Sequence, residues 1–160
     1  MAGEAAMTMS LSSPHWRRGE TIPKKFTADG EDVSPPLHFE GVPAGTRSFA
    51  LVCDDPDAPV GTWVHWVLYN IPGVSKGLPE GVATDPTLPD GSRQGKNSWN
   101  RIGYGGPSPP PGSPHRYFFR LYALREPLSS PPGLSAKEIE TAARAKAIEM
   151  AEFMGTYGRS

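Results

Sequence analysis

The 160-residue chain has a single cysteine, Cys53. One thiol closes no internal disulfide, so nothing in the chain calls for an oxidising compartment. Cys53 sits in an apolar run and reads as a small buried hydrophobe rather than a reactive thiol. No pair of histidines and cysteines stands at zinc-ligand spacing, so no metal site is expected. Acidic loop residues too few for a calcium cage argue the same way. No apolar run approaches the 18 or so residues that a membrane span requires. Met1 to Ser13 lacks a basic region followed by an apolar one, so no secretory signal is expected and a cytoplasmic protein is. Sixteen Lys and Arg stand against 17 Asp and Glu, a net charge of −1. That balance offers no basic field for nucleic acid. The Gly-Lys-Ser/Thr of a phosphate-binding loop is missing, as is the Gly-x-Ser-x-Gly elbow of an α/β-hydrolase.

Turn formers are abundant instead, with 18 glycines and 19 prolines, and they cluster between apolar runs. The pattern is that of a loop-rich globular domain over residues 10–160, preceded by a frayed arm at 1–9. Leu37 to Glu40 alternates and predicts a short strand closed by the turn Val42-Pro43-Ala44-Gly45. Arg47 to Asp54 is apolar on both faces, as a central strand is. Thr62 to Ile71 is rich in β-branched and aromatic residues. Strict alternation there puts Trp63, His65, Val67 and Tyr69 on one face and Val64, Trp66 and Leu68 on the other. Tyr117 to Leu124 is a third strong strand. Between the last two, residues 76–112 form an unusually long loop, either functional or holding short strands near Leu78 or Trp99.

The C-terminal segment changes period. Ser135 with Glu138 three residues on makes a capping box. Ile139, Ala142, Ala143, Lys146, Ala147, Met150 and Ala151 then follow helical spacing, which Gly155 ends, with a final strand over Phe153 to Tyr157. Strands first and one helix last predict a mainly β, antiparallel fold with a C-terminal helix.

The candidate chemistry lies beside rigid turns. Asp54, Asp55 and Asp57 follow a central strand, stiffened by Pro56 and Pro59. His65 is mid-strand. His115 opens the third strand after a Pro-rich segment, on the same face as Tyr117 and opposite Arg116. Gly103-Tyr104-Gly105-Gly106-Pro107 can offer backbone N–H groups to an anion. Each feature also has a plain structural reading: Asp and Pro are ordinary turn residues, and a strand histidine is more often a satisfied core residue. Two histidines, each on a strong strand, make the better constellation for an anion pocket. A hydrolase is less well supported, because no Ser, Thr or Cys stands by motif beside the histidines.

Six segments occur in order: Phe26-Thr27-x-Asp29-Gly30-x-x-x-Ser34-Pro35-Pro36-Leu37; Asp55-Pro56-Asp57-Ala58-Pro59; Trp63-x-His65-Trp66; Gly103-Tyr104-x-Gly106-Pro107-x-Pro109-Pro110; Pro114-His115-Arg116-Tyr117; and Gly155-Thr156-Tyr157. Over about residues 10–158 the chain resembles the phosphatidylethanolamine-binding protein (PEBP) family, in its bacterial and archaeal Raf-kinase-inhibitor-like branch. The resemblance implies a large antiparallel sheet packed on a smaller one. It also implies a non-enzymatic surface pocket, without a cofactor, for phosphate and phosphorylated head groups. Carried over by motif, that pocket comprises Asp55, Asp57, Pro59, His65, Gly106, Pro110, His115 and Tyr117, with Trp63 at its edge. Regulation of a protein partner, such as a kinase or protease, is the alternative function, and pairing into homodimers is known among such proteins. The family often has Cys in place of Ala28 and Ser108, and Asp-Phe-Gly in place of Ser98-Trp99-Asn100.

Overall fold

A computed structural model describes residues 9–160. The expected arm at 1–8 lies outside the described residues, while Met9, assigned to that arm, packs into the core with 2% of its surface exposed. The elements in chain order are β1 (Ser10–Ser12), β2 (Leu37–Glu40), β3 (Ser48–Asp55), β4 (Trp63–Pro72), β5 (Gly77–Leu78), β6 (Arg93–Gln94), β7 (His115–Leu124), α1 (Ala136–Lys146) and β8 (Ala147–Tyr157). They form an antiparallel three-stranded sheet, β1-β2-β5, and an antiparallel five-stranded sheet, β6-β4-β3-β7-β8. The fold is therefore mainly β, as the sequence predicts.

Apolar residues on both faces of β3 are explained by what covers it. Every residue from Ser48 to Asp55 is buried. Phe49, Leu51 and Cys53 face the small sheet, where the Phe39 and Phe49 rings meet at 4.9 Å. Ala50 and Val52 face α1 through Ile139 and Ala143. Burying such side chains contributes about 1.5–3 kcal/mol each, so two apolar layers around one central sheet supply most of the driving force.

The capping box forms as predicted: the Glu138 N–H donates to Ser135 Oγ and the Ser135 N–H to Glu138 Oε1. The helix ends earlier than its periodicity implies. At Ala147 the backbone is already extended, and Ala147 to Tyr157 forms β8, paired with β7 along its length. The reason is visible in burial: Ala151, Phe153, Gly155 and Tyr157 are buried at period two, which is strand spacing. Alanine at 147 and 151 fits both periods, and pairing with β7 decides between them. The long loop holds two short strands, β5 and β6, of which only the one at Leu78 matches an expected place. Its anchor is the buried Gln94, which accepts from Trp66 Nε1 at 2.8 Å and donates to the Ala83 and Asp85 carbonyls.

Strict alternation fails in β4, for a local reason. Cys53 pairs with Trp66 and Asp54 with Val64, so His65 is an extra residue in a β-bulge. A second irregularity leaves Asn70 out of register, with φ of 56°. The bulge splits the predicted face: Val67 and Tyr69 pack toward the helix, whereas His65 and Trp63 join Tyr117 around a pocket on the other side.

Candidate functional site

The pocket lies at the end of β3, β4 and β7, under the loops 56–60 and 99–110. It encloses about 190 Å³. Seven of the nine residues expected from the motifs line it: Asp55, Pro59, Trp63, His65, Pro110, His115 and Tyr117. Ala58, Val60, Trp99, Ser108 and Pro109 complete the wall.

The two imidazoles are held differently. His115 is nearly buried, and its Nδ1 lies 2.7 Å from Asp55 Oδ2. A carboxylate only accepts, so Nδ1 carries the hydrogen and Nε2 is the ring's remaining polar atom. The other oxygen of Asp55, Oδ1, accepts the Asp57 N–H at 2.7 Å. Both oxygens of Asp55 are thus occupied, one fixing the turn after β3 and one fixing His115. His65 Nδ1 lies 2.6 Å from the Gly105 carbonyl, which again places its hydrogen on Nδ1. The His65 carbonyl accepts the Gly105 N–H in return, at 2.9 Å. The bulge frees that carbonyl from β3, and the loop claims it.

His65 Nε2 is buried and has no hydrogen-bond partner, alone in this respect among the buried side-chain N and O atoms of the described residues. Such atoms are rarely left unmatched, because desolvation without a partner costs about 1–3 kcal/mol. Burial pushes the His65 pKa below its ordinary value of 6.5, opposed by the Gly105 carbonyl and the negative Asp55. Trp99 and Tyr117 stand edge-on to the ring at 5.0 and 5.2 Å. Burial also raises the Tyr117 hydroxyl well above its ordinary range, so it remains a neutral donor.

Two expected residues take other places. Asp57 binds Arg116 through both carboxylate oxygens, at 2.8 and 2.9 Å, and also accepts the Arg116 N–H. The guanidinium holds Asp57 down at about 2, and the pair latches the turn to β7 outside the pocket. Gly106 lines a neighbouring cavity instead. Its N–H donates to Asp32 Oδ1 at 2.7 Å, and a Cβ there would stand 2.5 Å from the Phe26 carbonyl, so only glycine fits. Trp99 is the largest of the wall residues outside the expected set. Its signal was local: Asn97 is followed by a tryptophan and a turn-forming Asn100, which adopts φ of 62°. Asn97 Oδ1 accepts from the N–H groups of both Trp99 and Arg101, so the tip of this loop is fixed by one side chain. Gly105 lets the indole lie close, since a Cβ would approach it to 2.5 Å.

Cys53 is fully buried beneath this site, and burial foremost, with Asp54 adding to it, pushes its thiol well up. It is a packing residue, not a nucleophile.

Comparison with known proteins identifies the family. The family model "PBP: Phosphatidylethanolamine-binding protein" matches residues 12–158. The chain belongs to the PEBP family. A UPF0098 protein of Aquifex aeolicus is 46% identical over 153 residues, spanning 94% of this chain and 89% of its own. One from Methanothermobacter thermautotrophicus is 47% identical over 151 residues, covering 94% and 99%. Among solved structures, E. coli YbcL, a member of the mammalian PEBP family, superposes with a TM-score of 0.88 at 34% identity, covering 95% of this chain and 99% of that one. The PEBP homolog CT736 of Chlamydia trachomatis gives 0.87 at 37%, with coverage of 96% and 99%. PEBP members are in general ligand-binding proteins rather than enzymes, and no helix among the described residues is long and apolar enough to cross a membrane.

Proposed function

We propose that this PEBP member binds small anionic molecules, phosphate groups above all, between His65 and His115, without turning them over. The observation that carries the reading is the unpartnered, buried Nε2 of His65 in the pocket wall. An anion supplies the missing partner and favours the charged imidazole, reversing the effect of burial. His115 presents its Nε2 to the same pocket, oriented by Asp55, and Tyr117 adds a neutral hydroxyl. Both oxygens of Asp55 already accept hydrogen bonds, which offsets part of its repulsion of the ligand. Charge-assisted bonds contribute about 1.5–3 kcal/mol each, so two or three in an open pocket give micromolar to millimolar affinity. The second reading, regulation of a kinase or protease, rests on family resemblance alone. A carboxypeptidase Y inhibitor, solved in complex with its cognate proteinase, is 20% identical with a TM-score of 0.55 and speaks only to architecture.

Phosphate titration followed by the imidazole NMR signals of His65 and His115 tests the proposal. Saturable shifts in both rings are expected, and His115→Ala weakens binding several-fold with the fold intact. Titration that leaves both rings unmoved places the ligand elsewhere.

A further inference from the structure

The anion pocket has a neighbour. A second cavity of about 360 Å³ opens beside it, and Trp99 and Ser108 line both. Its character is different. Asp32, Thr84 and Arg101, all exposed, line it together with Trp99. Asp32 adopts φ of 58°, an uncommon conformation for a side-chain-bearing residue. It places Oδ1 on the Gly106 N–H and leaves Oδ2 without a hydrogen bond among the described residues. Arg101 is tied by its backbone to Asn97, and its guanidinium forms no ion pair among the described residues. A carboxylate and a guanidinium thus share one cavity without pairing with each other.

Each simple occupant leaves one of these groups in difficulty. A second anion meets Asp32. An ammonium meets Arg101. An alkyl chain desolvates both, and burying unpaired charges is costly. A neutral ring carrying several hydroxyls suits the whole set: hydroxyls donate to Asp32 and accept from Arg101, Thr84 and Ser108 add further partners, and the ring's C–H face packs on indole. Asn97 holds the backbone at Trp99 and Arg101 in advance, which lowers the cost of ordering this loop on binding.

We propose that the two pockets form one bipartite site for a sugar phosphate, with phosphate between His65 and His115 and the sugar ring in the second cavity. The inference rests on the anion-binding reading above and names its ligand class. The test compares inorganic phosphate, glucose 1-phosphate, glucose 6-phosphate and phosphoethanolamine by calorimetry, with Trp99 indole NMR as a second readout. At least one glucose phosphate binds about tenfold or more tightly than inorganic phosphate and shifts the Trp99 indole. In Arg101→Ala, an exposed position, that ratio collapses toward one. Equal affinity for phosphate and both sugar phosphates, tighter binding of phosphoethanolamine than of either, or a ratio unchanged in Arg101→Ala overturns the bipartite site while leaving anion binding standing. Failure of inorganic phosphate to bind at all removes the anion reading, and this inference with it.

Discussion

Replacing His65 by Phe separates what the pocket does from what holds the fold. The substitution removes the unpartnered buried Nε2, whose desolvation costs about 1–3 kcal/mol in the empty protein. It also removes the Nδ1–H donated to the Gly105 carbonyl, and leaving that carbonyl unmatched costs a similar ~1–3 kcal/mol. The phenyl ring is close in size to imidazole and keeps the edge-on contacts with Trp99 and Tyr117, now at 5.0 and 5.2 Å. The opposing polar effects cancel to first order, so urea denaturation returns a stability within about 1.5 kcal/mol of the parent. Binding has no such cancellation. The loss of one charge-assisted bond, about 1.5–3 kcal/mol, lowers phosphate affinity some 10- to 150-fold. A variant destabilised by more than ~3 kcal/mol shows that His65 is a structural residue first. A variant that binds phosphate as tightly as the parent refutes the role assigned to Nε2.

The same histidine predicts a pH dependence. Its folded pKa is lowered, so the unfolded chain takes up the proton first; the stability from neutral His65 is full above about 6.5 and declines as pH falls from there toward the folded pKa. Thermal melts in buffer free of binding anions show this decline, and added sulfate, whose charge is constant over the range, reduces it. Sulfate affinity itself falls as pH rises from that lowered folded pKa of His65, and a flat profile contradicts the imidazole mechanism. Asp57→Asn loosens an exposed bidentate pair and costs at most about 1 kcal/mol, read as a small shift in denaturation midpoint. In the parent, that pair's contribution is present above about pH 4 and lost as pH falls toward about 2, the folded value for Asp57. Ser135→Ala removes the capping box of α1 and costs about 1 kcal/mol by the same measurement.

Much of the sheet was legible in the sequence because burial on both faces of β3 and β7 writes near-continuous apolar runs. The turn at Asp55 to Pro59, His65, His115 and Tyr117 stood out because each adjoins such a run, and the ordered motifs join them. Three things were not legible. The bulge at His65 is a register event between β3 and β4, so no pattern within β4 shows that Val67 and His65 face opposite sides. The switch from α1 to β8 at Ala147 is decided by pairing with β7, twenty-three or more residues away in sequence at every point, while alanine fits either state. Trp99 and Arg101 lie in a loop whose shape comes from one asparagine side chain, and such contacts leave no periodic trace.

These differences have a common consequence for ligand choice. The groups proposed to hold the anion sit on or beside long strands: His115 and Tyr117 in β7, His65 in β4, and Asp55 at the end of β3. Their positions are fixed by the sheet and by bonds that cross it. The remaining walls of both cavities come from the turn 58–60, from Trp63 at the start of β4, and from the segment 97–110 with Ala28, Asp32 and Thr84; of these only Trp63 lies in a strand. Substitutions there alter shape and charge around the anion without disturbing the sheet, because loops tolerate change that a packed core does not. One scaffold can thus keep a constant anchor for phosphate and vary what the phosphate is attached to. In this chain the loop part presents an indole, a carboxylate and a guanidinium, and on the proposed reading those groups, more than the histidines, would set which phosphorylated molecule the protein selects.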